Sequence, residues 1–360
     1  MALRDIAAIP YAPVLELRPA EMLALESLPG KDKDLILPIF KLGPWGASHE
    51  LDNSINRITQ AYGRRPCVLA LGDVDPRLML RPVHQRLSQL ASPQNGYANW
   101  CNFFTEKGNE GFIPCAQIAN ASEFDIQVGR LWALDRGLCL YINSLAMPFV
   151  SLICSNAAKI TSGGSGVLVV LDFGKITALH SRNLDSFIRA FSDVRQSIPH
   201  AKIVFCGSSF PDMFTNISNQ DIFEREIFGQ ISVAIGSGLI YGDRGSARSE
   251  RQVGGSGQPA PRIDYPLDQQ WNFHRSSAGG DRADQYETMA RNLVAESYWD
   301  PALRVWGTQM IERTALGDTT AITSPARSTA VRINIHLHRQ LHYGDHFGLY
   351  DTEDEWVDSL

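Results

Sequence analysis

Eight short apolar runs, separated by segments of helical periodicity, constrain the fold of this chain more than any other feature. They lie at residues 13–17 (PVLEL), 35–40 (LILPIF), 67–71 (CVLAL), 112–118 (FIPCAQI), 138–142 (LCLYI), 167–173 (VLVVLDF), 202–206 (KIVFC) and 239–241 (LIY). Most of them are continuously apolar rather than alternating, which is typical of parallel strands covered on both faces. Strands that alternate with helices in this way predict an α/β protein with a parallel sheet.

The number of strands favours one architecture over its rival. Eight β–α repeats joined by right-handed crossovers in constant succession close a sheet into a barrel. The rival is an open doubly wound sheet, but no glycine-rich nucleotide-binding turn follows the first run. We therefore expect an eight-stranded (β/α) TIM-like barrel over residues 1–300.

Two parts of the chain depart from this rhythm. Residues 242–281 begin with a loop rich in Gly, Ser, Arg and Pro, and continue with two strand-like runs split by PLD, so they predict a loop-and-hairpin insertion over the barrel mouth. Residues 301–360 predict a C-terminal helical extension and an acidic tail. Within that extension, Ser324 and Pro325 mark the start of a helix that runs to about Tyr343. Ser181 is the predicted N-cap of an earlier helix that ends before Pro199.

Composition excludes some classes of function. The 360 residues carry a net charge of -6 and no run of Lys or Arg, which argues against a broad nucleic-acid surface but leaves room for a local positive pocket. The six cysteines form no CxxC pair, so we expect buried, reduced thiols. The sequence shows neither a signal peptide nor an apolar stretch long enough to span a membrane, which predicts a cytoplasmic protein.

Polar side chains at the ends of the predicted strands are the candidate site, because (β/α) barrels place their sites there. Three carboxylates from different strands are candidate catalytic groups that could bind a divalent metal: Asp73, Asp172 and Asp243. The candidate substrate-binding residues include several cations that suit an anionic ligand. They are Arg18, Lys41, Asn143, Lys175, Ser208, Arg244, His274 and Arg275. The alternative is that these side chains only cap, pair and solvate the strand ends.

Three further patterns have a structural interpretation first. The GSSFP motif at 207–211 lacks the hydrolase pattern GxSxG and predicts turn capping. Glu224 and Arg225 lie on a predicted helix, where a surface ion pair is expected. His338 and His342 have the spacing of two zinc ligands on a helix, but no third ligand is evident in the sequence. Packing or pairing with Asp345 is therefore favoured over metal binding for these histidines.

Short motifs spread over nearly the whole chain point to one family. They are YAPVLELRPAEMLALESL, LILPIFKL, VLDFG, GSSFP, IYGDRG, RIDYPLDQQWNFHRS and INIHLHRQL. Together they resemble the Beta protein family of bacteriophages, prophages and other mobile bacterial elements. The resemblance implies a protein of the bacterial host cytoplasm, encoded among phage and defence-associated genes. Lys41 stands where the resemblance predicts an acidic residue and Arg244 where it predicts an aromatic one, so no shared catalytic carboxylate is carried over to either position.

Two hypotheses of different class follow, and the sequence does not decide whether the protein is an enzyme. The favoured one is a phage or mobile-element accessory protein that binds a host or phage protein in phage–bacterium conflict. Its barrel would be a scaffold, and the loop at 244–261 with the C-terminal helices would contact the partner. The alternative is a barrel hydrolase or nucleotide-processing enzyme that acts on an anionic, phosphate-containing substrate, with a divalent metal as an open option.

Overall fold

The computed structural model describes residues 3–6, 8–74, 81–214, 216–236, 238–248, 260–276 and 280–353. The chain forms two compact units, each assembled from separate pieces of sequence. The first unit consists of Met1–Arg18, Ile36–Ser209 and Phe223–Arg244. The second consists of Pro19–Leu35, Phe210–Ile222 and Gly245–Leu360. The predicted boundary near residue 300 stays a prediction.

The regular elements follow one another in a largely alternating order. The strands are β1 (Val14–Glu16), β2 (Ile39–Leu42), β3 (Val68–Leu71), β4 (Ile113–Ala116), β5 (Leu138–Asn143), β6 (Val167–Lys175), β7 (Lys202–Ser208), β8 (Asn219–Asp221), β9 (Leu239–Tyr241), β10 (Arg262–Pro266) and β11 (Gln270–Arg275). The helices are α1 (Pro19–Glu26), α2 (Gly30–Leu35), α3 (Asp52–Tyr62), α4 (Pro82–Ala91), α5 (Gln94–Phe103), α6 (Ala121–Trp132), α7 (Val150–Ile160), α8 (Asp185–Ser197), α9 (Phe223–Ile235), α10 (Arg282–Val294), α11 (Trp306–Ala315), α12 (Pro325–Leu341) and α13 (His346–Tyr350). Single turns of 3-10 helix cover Leu3–Asp5, Met147–Phe149 and His180–Arg182.

The first unit contains a curled sheet of eight parallel strands in the order β1-β2-β3-β4-β5-β6-β7-β9. The prediction of an α/β fold with eight parallel strands is therefore confirmed. At the first strand of this sheet, two backbone N–H groups also donate hydrogen bonds to carbonyls at the end of the last strand. The N–H of Ala12 donates to the carbonyl of Tyr241 at 2.9 Å, and the N–H of Val14 donates to the carbonyl of Asp243 at 2.8 Å.

One apolar cluster takes residues from one face of this sheet. Every one of its eight strands contributes to the cluster, through Val14, Ile39, Val68, Ile113, Cys139, Leu168, Val204 and Ile240 among others. Full burial of such a side chain stabilises the fold by about 1.5–3 kcal/mol. All six cysteines are buried and free, as predicted. Because the strands are parallel, the residues that follow them lie along one edge of the sheet.

The second unit contains a small antiparallel sheet and six helices among its described residues. The two runs that were predicted to form a hairpin pair antiparallel, with Ile263 opposite His274, and β8 adds a third strand beside β11. Most of the predicted loop before them, residues 249–259, lies outside the described residues. Helix α12 begins as predicted, since the Ser324 hydroxyl accepts a hydrogen bond from the N–H of Arg327 at 3.2 Å.

The prediction of Ser181 as a helix N-cap is wrong. Ser181 lies in the 3-10 turn before α8, where its hydroxyl donates to the carbonyl of Ala178 at 3.1 Å. The helix starts later, at Asp185, whose N–H donates to the side-chain oxygen of Asn183 at 3.2 Å. Asn183 thus satisfies one of the open N–H groups at the helix start, and Ser181 is too early in the chain to do so.

Within the described parts of the chain, no helix combines the length and apolar character that a membrane crossing needs.

Candidate functional site

Asp172 is the centre of a buried polar network at the carboxyl ends of the strands in the first unit. It lies on β6 and is 1% exposed. Its carboxylate accepts hydrogen bonds from the Tyr141 hydroxyl, the Arg244 guanidinium and, at 3.0 Å, the N–H of Gly174. Charged groups buried in this way are stable only when they are paired and hydrogen-bonded. We call Lys41, Tyr141, Asp172 and Arg244 the strand-end network.

Lys41 contacts this network through the aromatic ring of Tyr141. Its ammonium nitrogen lies 3.1 Å from the centroid of the Tyr141 ring, a cation–π contact. Burial lowers the pKa of Lys41, and the nearby guanidinium of Arg244 lowers it further, while Asp172 opposes the change. Lys41 therefore lies close enough to feel the positive charge of Arg244, and an anionic ligand would favour the charged form of both groups.

Tyr141 and Arg244 complete the network. Burial raises the pKa of Tyr141 well above its ordinary value, and the Asp172 carboxylate raises it further, so the phenol keeps its proton and donates. The Nε of Arg244 is a buried donor without a hydrogen-bond partner among the described residues. An unmet buried donor is costly, and a ligand oxygen would satisfy it.

Asp243 belongs to a neighbouring buried group that follows β9. Its carboxylate accepts hydrogen bonds from the hydroxyls of Tyr11 and, at 3.1 Å, Tyr241. The guanidinium of Arg225 lies 3.7 Å from the centre of the Tyr241 ring. Burial and the charge of Asp243 both raise the pKa values of the two tyrosines well above the ordinary value. The two phenols therefore stay protonated and hold the carboxylate.

The predicted surface ion pair of Glu224 and Arg225 is wrong, because both side chains are buried. The Glu224 carboxyl accepts hydrogen bonds from the hydroxyl of Ser209 and, at 2.9 Å, from its N–H. Burial raises the pKa of Glu224 to about 8, against the opposing hydrogen bonds from Ser209. The Ser209 hydroxyl also accepts the N–H of Phe223 at 3.1 Å, so it caps the start of α9. In the sequence, charged residues in the first turn of a helix suggested a turn that faces solvent. The first turn of α9 instead packs against the end of β7.

The other predicted strand-end residues lie outside these buried groups. Asp73 is exposed after β3, unlike the two buried aspartates. Arg18 is exposed, with its guanidinium 3.9 Å from Glu16. The Asn143 side chain accepts the N–H of Ala146 at 3.1 Å, which is a turn contact.

Lys175 and Ser208 pair across β6 and β7. Lys175 is exposed, and Ser208 is buried with its backbone carbonyl accepting the N–H of Ile176 at 2.8 Å.

His274 and Arg275 belong to the second unit, on β11. The His274 Nε2 lies 2.7 Å from the hydroxyl oxygen of Tyr298, and burial lowers the pKa of this histidine. Arg275 donates to the backbone carbonyl of Phe214. The structure therefore shows both residues in contacts within their own unit.

A groove of about 840 Å³ lies elsewhere in the first unit, between the start of α7 and the start of α8. Its twelve lining residues fall within residues 144–150 and 179–193. Seven of them are polar or charged, and five, including Met147 and Leu179, are apolar. The same stretches and the first turn of α7 carry large apolar side chains in contact with solvent. Leu145 is 84% exposed, Leu179 72%, Phe149 58% and Leu152 56%. We call the groove together with these exposed apolar side chains in and beside it the apolar groove. Sequence reasoning missed it, since exposed apolar residues next to a helix look like core residues in the sequence.

These features define a class: an α/β protein with an eight-stranded parallel sheet, buried polar groups at the carboxyl ends of its strands and an apolar groove. The model of the Beta protein family matches residues 11–342. The chain is also 30% identical over 362 residues to Protein beta of Enterobacteria phage P4, an alignment that covers 96% of this chain and 97% of that protein. The chain belongs to the Beta protein family, as its sequence motifs predicted.

Proposed function

We propose that this chain is a phage accessory protein that acts in the cytoplasm of the bacterial host and binds a host or phage protein through the apolar groove of its first unit. The observation that carries the proposal is the exposure of Leu179 in the wall of the groove and of Leu145, Phe149 and Leu152 in the chain segment beside it. Membership of a phage protein family supports a role in phage–bacterium conflict.

The exposed apolar side chains in and beside the groove suit a protein partner that presents an apolar segment. Contiguous exposed apolar surface marks interaction sites in soluble proteins. Interfaces concentrate their binding energy in Met and aromatic anchors surrounded by polar residues. Met147 in the wall of the groove and Phe149 beside it would be such anchors, and Asp185, Arg189 and Asp193 on α8 would supply polar contacts. Burying one such apolar side chain contributes about 1.5–3 kcal/mol to association before the entropic costs.

Capture from phage-infected cells with matched variants tests this proposal. Leu179→Asp places a charge in the wall of the groove and Phe149→Asp places one on the exposed apolar surface beside it. Val233→Asp places a charge on α9 at a side chain that is 87% exposed. All three variants are expected to keep the thermal stability of the wild type, because these side chains are exposed. The wild type and Val233→Asp should capture the same protein, and the two groove variants should lose it. Equal capture by all four proteins would rule the groove out.

We also propose that the eight-stranded sheet is a closed barrel and that this barrel is the scaffold that presents the apolar groove. The hydrogen bonds of Ala12 and Val14 to the carbonyls of Tyr241 and Asp243 support closure between the first and last strands. The apolar cluster that takes residues from all eight strands supports it too. A closed sheet has no free edge and holds its strand-end loops rigidly. Such a scaffold would present the groove without reorganisation on binding, which favours affinity.

A second candidate function is favoured by two observations: the Nε of Arg244 has no hydrogen-bond partner among the described residues, and the charge of Arg244 acts on the nearby Lys41 and lowers its pKa. These cations would bind the anionic part of a phosphate-containing substrate, with Asp172 and Asp243 in acid–base roles or holding a divalent metal. Hydrolysis or nucleotide processing would follow from such a site. The groups that would bind the substrate already lie in one buried network, which is the support for this alternative.

Thermal shift with inorganic phosphate, nucleotides and divalent ions tests the second candidate. An anion that binds the strand-end network should raise the melting temperature of the wild type and not that of Lys41→Met. Lys107→Met removes an exposed lysine and serves as the control that keeps the shift. An equal shift in Lys41→Met, or no shift with any ligand, would reject the strand-end network as an anion site.

A further inference from the structure

Asp32, His338 and His342 meet in a buried cluster of the second unit. Asp32 lies on α2, His338 lies on the last turn of α12, and His342 is the C-cap residue of that helix, one turn later. The Asp32 carboxylate oxygens lie 2.6 Å from Nδ1 of His338 and 3.0 Å from Nε2 of His342. Asp32 and His338 are 0% exposed, and the His342 side chain is 8% exposed. The third group that the sequence lacked is therefore supplied by a residue 306 positions before His338.

The hydrogen bonds of His338 call for a cation between it and Asp32. Its Nε2 lies 2.8 Å from the backbone carbonyl oxygen of Leu349, which can only accept, so Nε2 carries a hydrogen. In a neutral ring, Nδ1 then has a lone pair, and that lone pair points at a carboxylate oxygen. Two acceptors at 2.6 Å repel each other unless a proton or a metal ion lies between them.

We propose that this cluster binds a divalent transition-metal ion, most favourably Zn²⁺, through Nδ1 of His338, Nε2 of His342 and the carboxylate of Asp32. Two imidazole nitrogens and one carboxylate oxygen form a donor set that zinc prefers. The ligand atoms of the three residues all lie within 4.8 Å of one another, so small shifts bring them to a common centre.

The surroundings orient the ligands as metal sites require. The Leu349 carbonyl holds the outer nitrogen of His338, which fixes the ring and its tautomer. Nδ1 of His342 lies 3.9 Å from the Asp345 carboxylate on its outer side. A bound ion would connect α2 to α12 and would stabilise the second unit through its ligands. Three protein ligands leave a further coordination position for water or another donor.

The test uses the full-length, untagged chain and Zn²⁺ itself. After chelator treatment and zinc titration, the wild type should bind about one zinc ion per chain and show a higher melting temperature with zinc than without. Asp32→Asn, which keeps the shape of the side chain, and His342→Gln should weaken zinc binding more than about 100-fold, beyond the effect of losing an outer hydrogen bond. Circular dichroism establishes that each variant is folded.

Two other histidines of the same region are matched controls. His336→Gln changes a buried histidine of α12 that stacks on Trp271, and His346→Gln changes an exposed one on α13. Both variants should bind zinc as the wild type does. Substitution by Co²⁺ should give visible absorption bands in the wild type and both controls, and not in Asp32→Asn. Absence of zinc binding by the wild type, or undiminished binding by Asp32→Asn, would overturn the proposal and leave a proton between His338 and Asp32.

Discussion

Asp172 on β6 and Arg244 after β9 form a buried ion pair between residues 72 positions apart in the sequence. The Asp172 side chain is 1% exposed and that of Arg244 17% exposed. Removing one partner of such a pair leaves an uncompensated buried charge, whereas removing both leaves none. The pair therefore links two strands of the first unit in a way that mutation can measure.

A double-mutant cycle on this pair should show strong coupling. Asp172→Asn and Arg244→Met are each expected to lower the free energy of unfolding by about 3–5 kcal/mol, and the double variant by much less than the sum. Urea denaturation measures these values. The exposed pair of Arg4 and Asp135, at 2.8 Å, is the control, and its cycle should give less than about 1 kcal/mol. Similar coupling for the two pairs would contradict the buried geometry.

Glu224 should make the stability of the protein depend on pH. At low pH the carboxyl is protonated in both the folded and the unfolded chain. As pH rises from the ordinary value of 4.5 towards about 8, the unfolded chain loses this proton while the folded chain keeps it. Ionisation of the unfolded state then favours unfolding, so stability should fall by about 1.4 kcal/mol per pH unit in this window.

Glu224→Gln is expected to lack that part of the pH dependence. Urea denaturation of both proteins between pH 4.5 and pH 8 gives the difference directly. The variant should gain stability relative to the wild type as pH rises. Parallel pH profiles of the two proteins would show that Glu224 is ionised in the folded state.

Lys41→Met is expected to change stability by no more than about 1 kcal/mol. The substitution removes the cation–π contact with Tyr141, which is worth about 0.5–2 kcal/mol. It also removes the cost of burying an ammonium next to Arg244, which opposes that loss. Thermal and urea unfolding measure the sum. If the substitution lowered the free energy of unfolding by more than about 3 kcal/mol, Lys41 would contribute to stability rather than to ligand binding.

Ser324→Ala tests the start of α12. The hydroxyl caps the helix by accepting the N–H of Arg327, and its loss should cost about 1 kcal/mol. Ser181→Ala is the matched control, because that hydroxyl donates within a 3-10 turn and caps no helix. The control should cost less than about 0.5 kcal/mol. If urea denaturation shows equal losses of unfolding free energy for the two variants, Ser181 would be a helix N-cap, as the sequence suggested.

The sequence predicts the sheet of the first unit well and its site only in part. Continuous apolar runs mark buried parallel strands, and the positions after them include Asp172, Asp243 and Arg244, which the structure buries in polar contacts. The tyrosines that hold these carboxylates were missed, because Tyr141 and Tyr241 look like ordinary strand residues. What a strand residue contacts depends on register between distant strands, and that information is not local.

Asp32 shows the same limit in the second unit. In the run KDKD its carboxylate resembles a solvated charge, yet it is 0% exposed between two histidines. Burial there depends on contacts between α2 and α12, which are far apart in the sequence. The spacing of His338 and His342 gives half of the site, and only the fold supplies the other half.

Hydrogen exchange of the full-length chain, measured with and without its captured partner, tests most directly the claim that the partner binds at the apolar groove. Partner binding at the apolar groove predicts slower exchange of backbone amides in residues 144–152 and 179–193, which form its walls and the adjoining turn. Amides around Val233 on α9 should exchange at the same rate with and without the partner. Protection confined to other parts of the chain, with the groove amides unchanged, would contradict the account.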